Sequence, residues 1–282
     1  MIYKVECFFG NLRLAMNFSE MIRKYTLGVN NKVNSCIRPI KKHFGVNHFW
    51  YYTLSNEGRY SCLGSNADWM EYYFDQKLYL PNPYLRKPQN FQTGISFIRK
   101  LNDAKYQESV DLGVKSFKIE QSLIFLERTD VGVTGFGFAS HLPNELFETL
   151  CVNEMPLLKL FTRSFADKFS SIISSMENDN VDLASIIGPE FYNKKNEFKR
   201  PIIDKTDFLS FLQLSKISDL TPREKTLLSL LSKGLYAHQI ADRLELSKRT
   251  IEHYTDNIKM KLDCYTKAEL IQKAQDYFSL EF

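Results

Sequence analysis

The sequence predicts an α+β fold in two parts: an N-terminal α-β-α sandwich built on an antiparallel sheet, then a C-terminal all-α domain of four short helices. Three observations carry this expectation. Runs of β-branched and aromatic residues face each other across turns in the first 140 residues, and helical periodicity flanks them. After Leu220 the chain carries only helix-start and helix-stop signals. A length of 282 residues suits two cores, and 44% hydrophobic with 25% charged residues excludes a disordered or fibrous chain.

The elements follow in order. Amphipathic patterns predict helices over roughly 12–27 and 31–44. Val46–Leu54 reads as a strand, and Ser55–Gly58 turns it into a second strand at Arg59–Leu63. Strands are expected at Ser122–Glu127 and Val133–Ala139, around a turn at Thr129–Gly132. A long helix should run from Asn144 to about Met176, broken or restarted at Pro156. Residues 1–175 would form the first domain, 176–215 a polar linker with a short helix at Thr206–Leu214, and 216–282 the second domain. Helices on the faces of an antiparallel sheet give the sandwich.

Composition narrows the functional classes. No stretch approaches the roughly 20 apolar residues of a membrane helix, and Glu6 interrupts the start where a secretory signal needs a clean apolar run. A cytoplasmic protein without a membrane partner is expected. Five scattered cysteines form no C-x-x-C pair, so buried reduced thiols are favoured over a zinc knuckle or a disulfide framework. The five histidines show no i, i+4 metal pair, and no phosphate loop or nucleophile motif occurs. Neither an enzyme nor a cofactor is expected. The net charge of +4 is too small to identify a nucleic-acid binder by itself.

The C-terminal stretch supplies the motif. Thr221-Pro222-Arg223-Glu224 is a capping box with proline at the first helical position, where its missing N–H costs nothing. That helix carries Leu227, Leu228 and Leu231 and stops at Gly234. A second helix over Tyr236–Leu244 turns inward with Ile240, Ala241 and Leu244. Ser247 caps a third, whose inner face is Ile251, Tyr254, Ile258 and Leu262. Thr266–Glu269 opens a fourth, with Leu270, Ile271, Ala274 and Phe278. Two short helices joined by Glu245–Leu246 have the layout of a helix-turn-helix DNA reader. On its outer face Glu252, His253 and Asp256 are candidates for base edges. Lys248, Arg249, Thr250 and Lys259 are candidates for phosphates, with Ser247 and the helix N-terminus as a further phosphate site. A solvated helical surface would show the same spacing.

Residues 220–270 resemble the LuxR-type helix-turn-helix domain nearly without gaps. The matches run from Leu220, Thr221 and Glu224 through Gly234, Ile240, Ala241, Leu244, Ser247, Thr250 and Ile251 to Ile258, Lys261 and Leu262. Two departures stand out: Glu245 where the turn usually has Gly, and Tyr254 in place of the frequent His. The resemblance implies a transcription regulator that binds double-stranded DNA at an inverted-repeat operator as a homodimer, with the last helix in the dimer contact.

LuxR-type domains are attached to several sensory domains. A phosphorylatable receiver is excluded, because the first 60 residues hold only Glu6, Glu20 and Glu57 and no adjacent acidic pair. The autoinducer-binding domain, an α-β-α sandwich, is the closer likeness. Trp69, Tyr73, Asn82 and Pro83 hold the places of its Trp, Tyr and Asp-Pro, and Phe97 falls near a further aromatic. Ser65 sits where many members have Tyr. The resemblance implies that Trp69, Tyr73, Asn82, Phe97 and Ser65 bind a small-molecule signal, of the kind used in quorum sensing. Asn82 keeps a carbonyl acceptor but loses the charge assistance of the usual carboxylate. The alternative is a ligand-independent regulator whose N-terminal domain is a protein–protein or dimerisation module. A solid core would favour that, and an enclosed cavity dotted with polar groups would favour a sensor.

Overall fold

The computed structural model describes residues 17–119, 121–193 and 206–280. The chain divides into two compact units, Met1–Lys199 and Arg200–Phe282, each with its own apolar core.

In the first unit, Asn17 and Glu20 form a capping box that opens α1 (Phe18–Ile22), and a π-helical turn over Arg23–Leu27 follows. The part of the expected first helix before residue 17 lies outside the described residues. The second expected helix is two, α2 (Asn30–Cys36) and α3 (Arg38–Phe44), because Pro39 in the first turn of α3 cannot continue the preceding backbone ladder. Strands β1 (Val46–Ser55) and β2 (Arg59–Gly64) make the expected hairpin. Helix α4 (Ala67–Asp75), capped by Asn66, leads to the short strand β3 (Gly94–Phe97) and to α5 (Ala104–Phe117). Strands β4 (Gln121–Arg128) and β5 (Gly132–Ser140) complete the centre of the sheet.

Three helices follow where one with a single break was expected: α6 (Asn144–Asn153), α7 (Met155–Lys168) and α8 (Ser170–Asn178). Pro156 restarts α7 as the sequence implies, while the second break falls at Phe169, which is buried against Phe165 with ring centroids 4.3 Å apart. The sheet is antiparallel throughout, in the order β3-β4-β5-β1-β2-β6, where β6 (Val181–Asp182) closes the edge beside β2.

The expected linker therefore begins later. Residues 181–192, including α9 (Leu183–Ile187), fold back onto the first unit. Val181, Leu183 and Phe191 are buried there, and the Lys87 N–H donates to the Phe191 carbonyl at 2.9 Å. Residues 194–205 lie outside the described residues.

In the second unit, α10 (Thr206–Phe211) and α11 (Ser215–Ser218) precede α12 (Pro222–Ser232), α13 (Ala237–Leu244), α14 (Lys248–Lys261) and α15 (Lys267–Leu280). Leu214 and Ile217 join the core of the four expected helices. Leu270 and Ala274 are fully buried in that same core, so they hold the domain together and are not surplus surface for a dimer. Half-buried Ile271 and Phe278 remain beside them.

Glu245 ends α13 in the left-handed region, at φ 54° and ψ 45°. A Cβ is strained there and glycine is not. Glu245→Gly is expected to raise stability by about 0.5–1 kcal/mol, less what the more flexible unfolded chain recovers. The urea midpoint of the second unit checks this, and an unchanged or lower midpoint would contradict it.

Candidate functional site

Two places concentrate chemistry: the outer face of α14 and a cavity on one face of the sheet.

Helix α14 is held from below by Ile251, Thr255, Ile258 and Leu262, spaced at successive turns and all buried. Thr255 replaces the expected Tyr254 in this seam, because its hydroxyl is satisfied by donating to the Ile251 carbonyl at 2.8 Å. Tyr254 is half-buried at its edge. Ser247, Lys248, Arg249, Glu252, His253 and Asp256 are exposed, and Thr250 and Lys259 half-buried. All eight lie on α14 or its cap. Ser247 caps the helix by accepting from the Thr250 N–H at 3.0 Å, and the two hydroxyls lie 2.7 Å apart. Within the outer face, Lys248 lies 3.5 Å from Glu252 and Lys259 lies 2.9 Å from Asp256. His253 Nδ1 lies 3.2 Å from the Asn257 amide.

Lys261 serves the other side. Its ammonium donates to both oxygens of buried Glu224, at 2.7 and 3.0 Å, and joins the end of α14 to the start of α12. Arg223, which no sequence signal singled out, donates to the Leu244 carbonyl at 2.7 Å and caps α13 just before the turn.

The cavity, about 90 Å³, lies between the sheet and helices α4 and α5. Strand alternation sends Phe49 and Tyr51 toward Phe165 of α7, and His48, Trp50 and Tyr52 to the cavity face. Opposite these, β5 carries Gly137 and Gly135, paired with Trp50 and Tyr52. A Cβ on Gly137 would lie 1.9 Å from the Trp50 indole, and one on Gly135 2.0 Å from the Tyr52 ring. Only glycine lets the two aromatic rings lie flat on the sheet.

Of the five expected ligand residues, Trp69, Tyr73 and Asn82 line the cavity, and Phe97 and Ser65 do not. Phe97 is on β3, half-buried at the margin of the core. Ser65 is used by the backbone: its hydroxyl accepts from the Phe49 N–H at 2.9 Å, and its own N–H donates to the Phe49 carbonyl. Asn82 is turned in a way its type alone does not reveal. Its carbonyl oxygen accepts from the Tyr84 N–H at 2.9 Å, and its amide donates to the Tyr73 phenol at 2.8 Å. Because the Tyr84 N–H can only donate, the amide orientation is settled.

Sequence reasoning missed the rest of the wall. Behind the wall, buried Arg86 donates to the Leu80, Asn82 and Leu85 carbonyls and folds this loop around its guanidinium. Tyr106 and Ser109 enter from α5, and Gly113 lets the Trp69 indole approach that helix. Burial pushes the Tyr52, Tyr60, Tyr73 and Tyr106 phenols above the ordinary range. Burial, helped by the Lys41 charge, lowers the His48 imidazole to about 3, so it is neutral at physiological pH.

Residues 218–274 match the bacterial regulatory proteins of the luxR family. The chain is 24% identical over 253 residues to the transcriptional activator protein LuxR of Aliivibrio fischeri, covering 87% of this chain and 86% of that one. It is 48% identical over 46 residues to the DNA-binding transcriptional activator DevR/DosR of Mycobacterium tuberculosis, covering 16% of this chain and 21% of that one. Among solved structures, Escherichia coli SdiA superimposes with a TM-score of 0.32 at 15% identity, over 92% of this chain and 97% of that one. The second unit thus carries a luxR-family helix-turn-helix match over residues 218–274, and the likeness to LuxR extends through the first unit at 24% identity. No described helix is long and apolar enough to cross a membrane.

Proposed function

From the premise of a LuxR-type transcription regulator, we propose that α14 reads a double-stranded inverted-repeat operator and that a small molecule in the N-terminal cavity controls it. One observation carries the DNA half: α14 turns a buried apolar seam inward and leaves six polar or charged residues exposed at its cap and along its outer face. His253, Glu252 and Asp256 are the base-edge candidates on that face. Lys248, Arg249, Thr250 and Lys259 contact phosphates, with Ser247 at the helix N-terminus. Arg249 is the sharpest of these, since Lys248 and Lys259 each stand beside a carboxylate of their own helix.

The ligand half rests on the cavity. A partly open cavity walled by tyrosines, Asn82 and His48 supports a sensor over a solid protein–protein module. Pairing of two copies follows from an operator with two-fold symmetry.

The test uses a site selected from random duplexes by the full-length protein. Arg249→Ala is expected to weaken binding on all sequences alike and to lower the salt slope by about one. His253→Ala is expected to leave the slope unchanged and to alter the preferred bases. Anisotropy titrations across a salt series measure both. A His253→Ala variant with wild-type affinity and base preference would place the reading face elsewhere. Sedimentation on that duplex should give two chains per site, and a strict 1:1 complex would remove the homodimer.

A further inference from the structure

The sensor reading leaves the ligand unnamed, and the cavity wall narrows its chemistry. None of the described residues lining the cavity carries a formal charge. The phenols stay protonated and the imidazole neutral across the physiological range. A charged ligand would lose its hydration, and the buried charge next to the wall, the Arg86 guanidinium, is already engaged with the Leu80, Asn82 and Leu85 carbonyls. The volume of about 90 Å³ is well below the roughly 300–1,000 Å³ of sites that take drug-sized molecules.

Asn82 does not offer its carbonyl in the manner of a carboxylate. That oxygen already accepts from Tyr84, and the amide is directed at Tyr73. A ligand recognised through an amide N–H therefore meets a weakened acceptor at this position.

His48 is the polar group left over. It is 1% exposed, lines the cavity, and its Nδ1 has no hydrogen-bond partner among the described residues. A buried nitrogen of this kind costs free energy until something pairs with it. Its ring stacks on Trp50 with centroids 5.3 Å apart and planes within 15°. Trp50 in turn lies flat over Gly137. The result is a flat aromatic floor that includes the His48 imidazole.

We propose that the cavity binds an uncharged single-ring aromatic compound bearing a hydroxyl group, its ring stacked on the Trp50–His48 floor and its hydroxyl hydrogen-bonded to His48. This rests on the sensor reading above. A hydroxyl both donates and accepts, so it can pair with a ring nitrogen of His48 in either tautomer. The tyrosine and indole walls supply edge and face contacts for one ring.

The experiment is calorimetric titration of the full-length protein with 4-hydroxyacetophenone, 4-hydroxybenzoate and octanoyl-homoserine lactone. The neutral phenol should bind the wild type. At pH 7 the benzoate should bind at least ten-fold more weakly, and the lactone more weakly than the phenol. His48→Phe keeps the stack and removes the nitrogens, so phenol affinity should fall about three- to ten-fold, as for one neutral hydrogen bond. His48→Gln should restore part of it, which guards against a folding defect in the first variant. Equal binding of the benzoate, tighter binding of the lactone, or indifference to both His48 variants would overturn the ligand class and leave the sensor reading standing. Failure of all three compounds overturns the class. If tryptophan emission is also unmoved by an organic extract of the native cells, the sensor reading falls with it.

Discussion

Glu224→Ala is expected to destabilise the helix-turn-helix unit by about 2–3 kcal/mol. Two losses add. The capping box goes, in which the Thr221 N–H and hydroxyl both donate to Glu224 at 2.9 Å, and such caps contribute about 1 kcal/mol. The ion pair to Lys261 goes with it. Charged hydrogen bonds contribute about 1.5–3 kcal/mol, and the low end applies because the Lys261 side chain is half-exposed. Far-UV circular dichroism in urea reads this unit. Emission from Trp50 and Trp69, both in the first unit, should not move.

The same pair sets a pH dependence. The Lys261 ammonium, aided by the Thr221 bonds, holds the Glu224 carboxyl below its ordinary value. A carboxylate whose folded value is depressed stabilises fully above its unfolded value, about 4.3, and loses that stabilisation as pH falls through the folded value. Glu224→Gln should thus be less stable than wild type at pH 7, and the gap should narrow as pH falls below the unfolded value of about 4.3. A gap that stays constant from pH 7 down to acid unfolding would mean that packing, not charge, sets the contribution.

Gly137→Ala should destabilise the first unit by about 1–3 kcal/mol and close the cavity. In an open strand position the same change stabilises by about 0.5–1 kcal/mol, since glycine loses more backbone freedom on folding. Here the new Cβ would meet the Trp50 indole at 1.9 to 2.3 Å, with the ring itself and not a flexible tip in the way. The indole must leave the sheet, and the space beside it is the cavity. Overpacking of this kind costs about 1–3 kcal/mol. The sign alone decides the matter, read from the urea midpoint and from the shift in tryptophan emission. A more stable variant would show that Trp50 does not lie on Gly137.

The DNA-binding unit was legible in the sequence because its determinants are local. The Thr221–Glu224 box, the Ser247 cap and Gly234 each act within three or four residues, and the inner face of α14 repeats at helical spacing. The positive φ at Glu245 follows from the same local pattern. The β1–β2 hairpin and strands β4 and β5 were legible for a similar reason, as dense apolar runs around short turns. Strand β3 left no clear signal, since Gly94–Phe97 is only four residues long; α5 does carry one, the Asp103 cap with Tyr106, Val110 and Phe117 at helical spacing, and it went unused.

The cavity was legible only in part. Trp69, Tyr73 and Asn82 came from a family likeness and do line it, but nothing local separates them from Ser65 and Phe97, which do not. Val46–Ser55 packs on both faces of the sheet, so no alternation in its sequence tells His48 and Trp50 from Phe49 and Tyr51. Nor does Leu270 or Ala274 announce whether it faces its own core or a second chain. Capping and periodicity are properties of neighbours along the chain, and the sequence by itself determined them. Which side chain faces the cavity and which glycine lies under an indole depend on segments far apart in the chain, and which way Asn82 turns depends on where the loop places the Tyr73 phenol and the Tyr84 N–H; only the tertiary structure decided them.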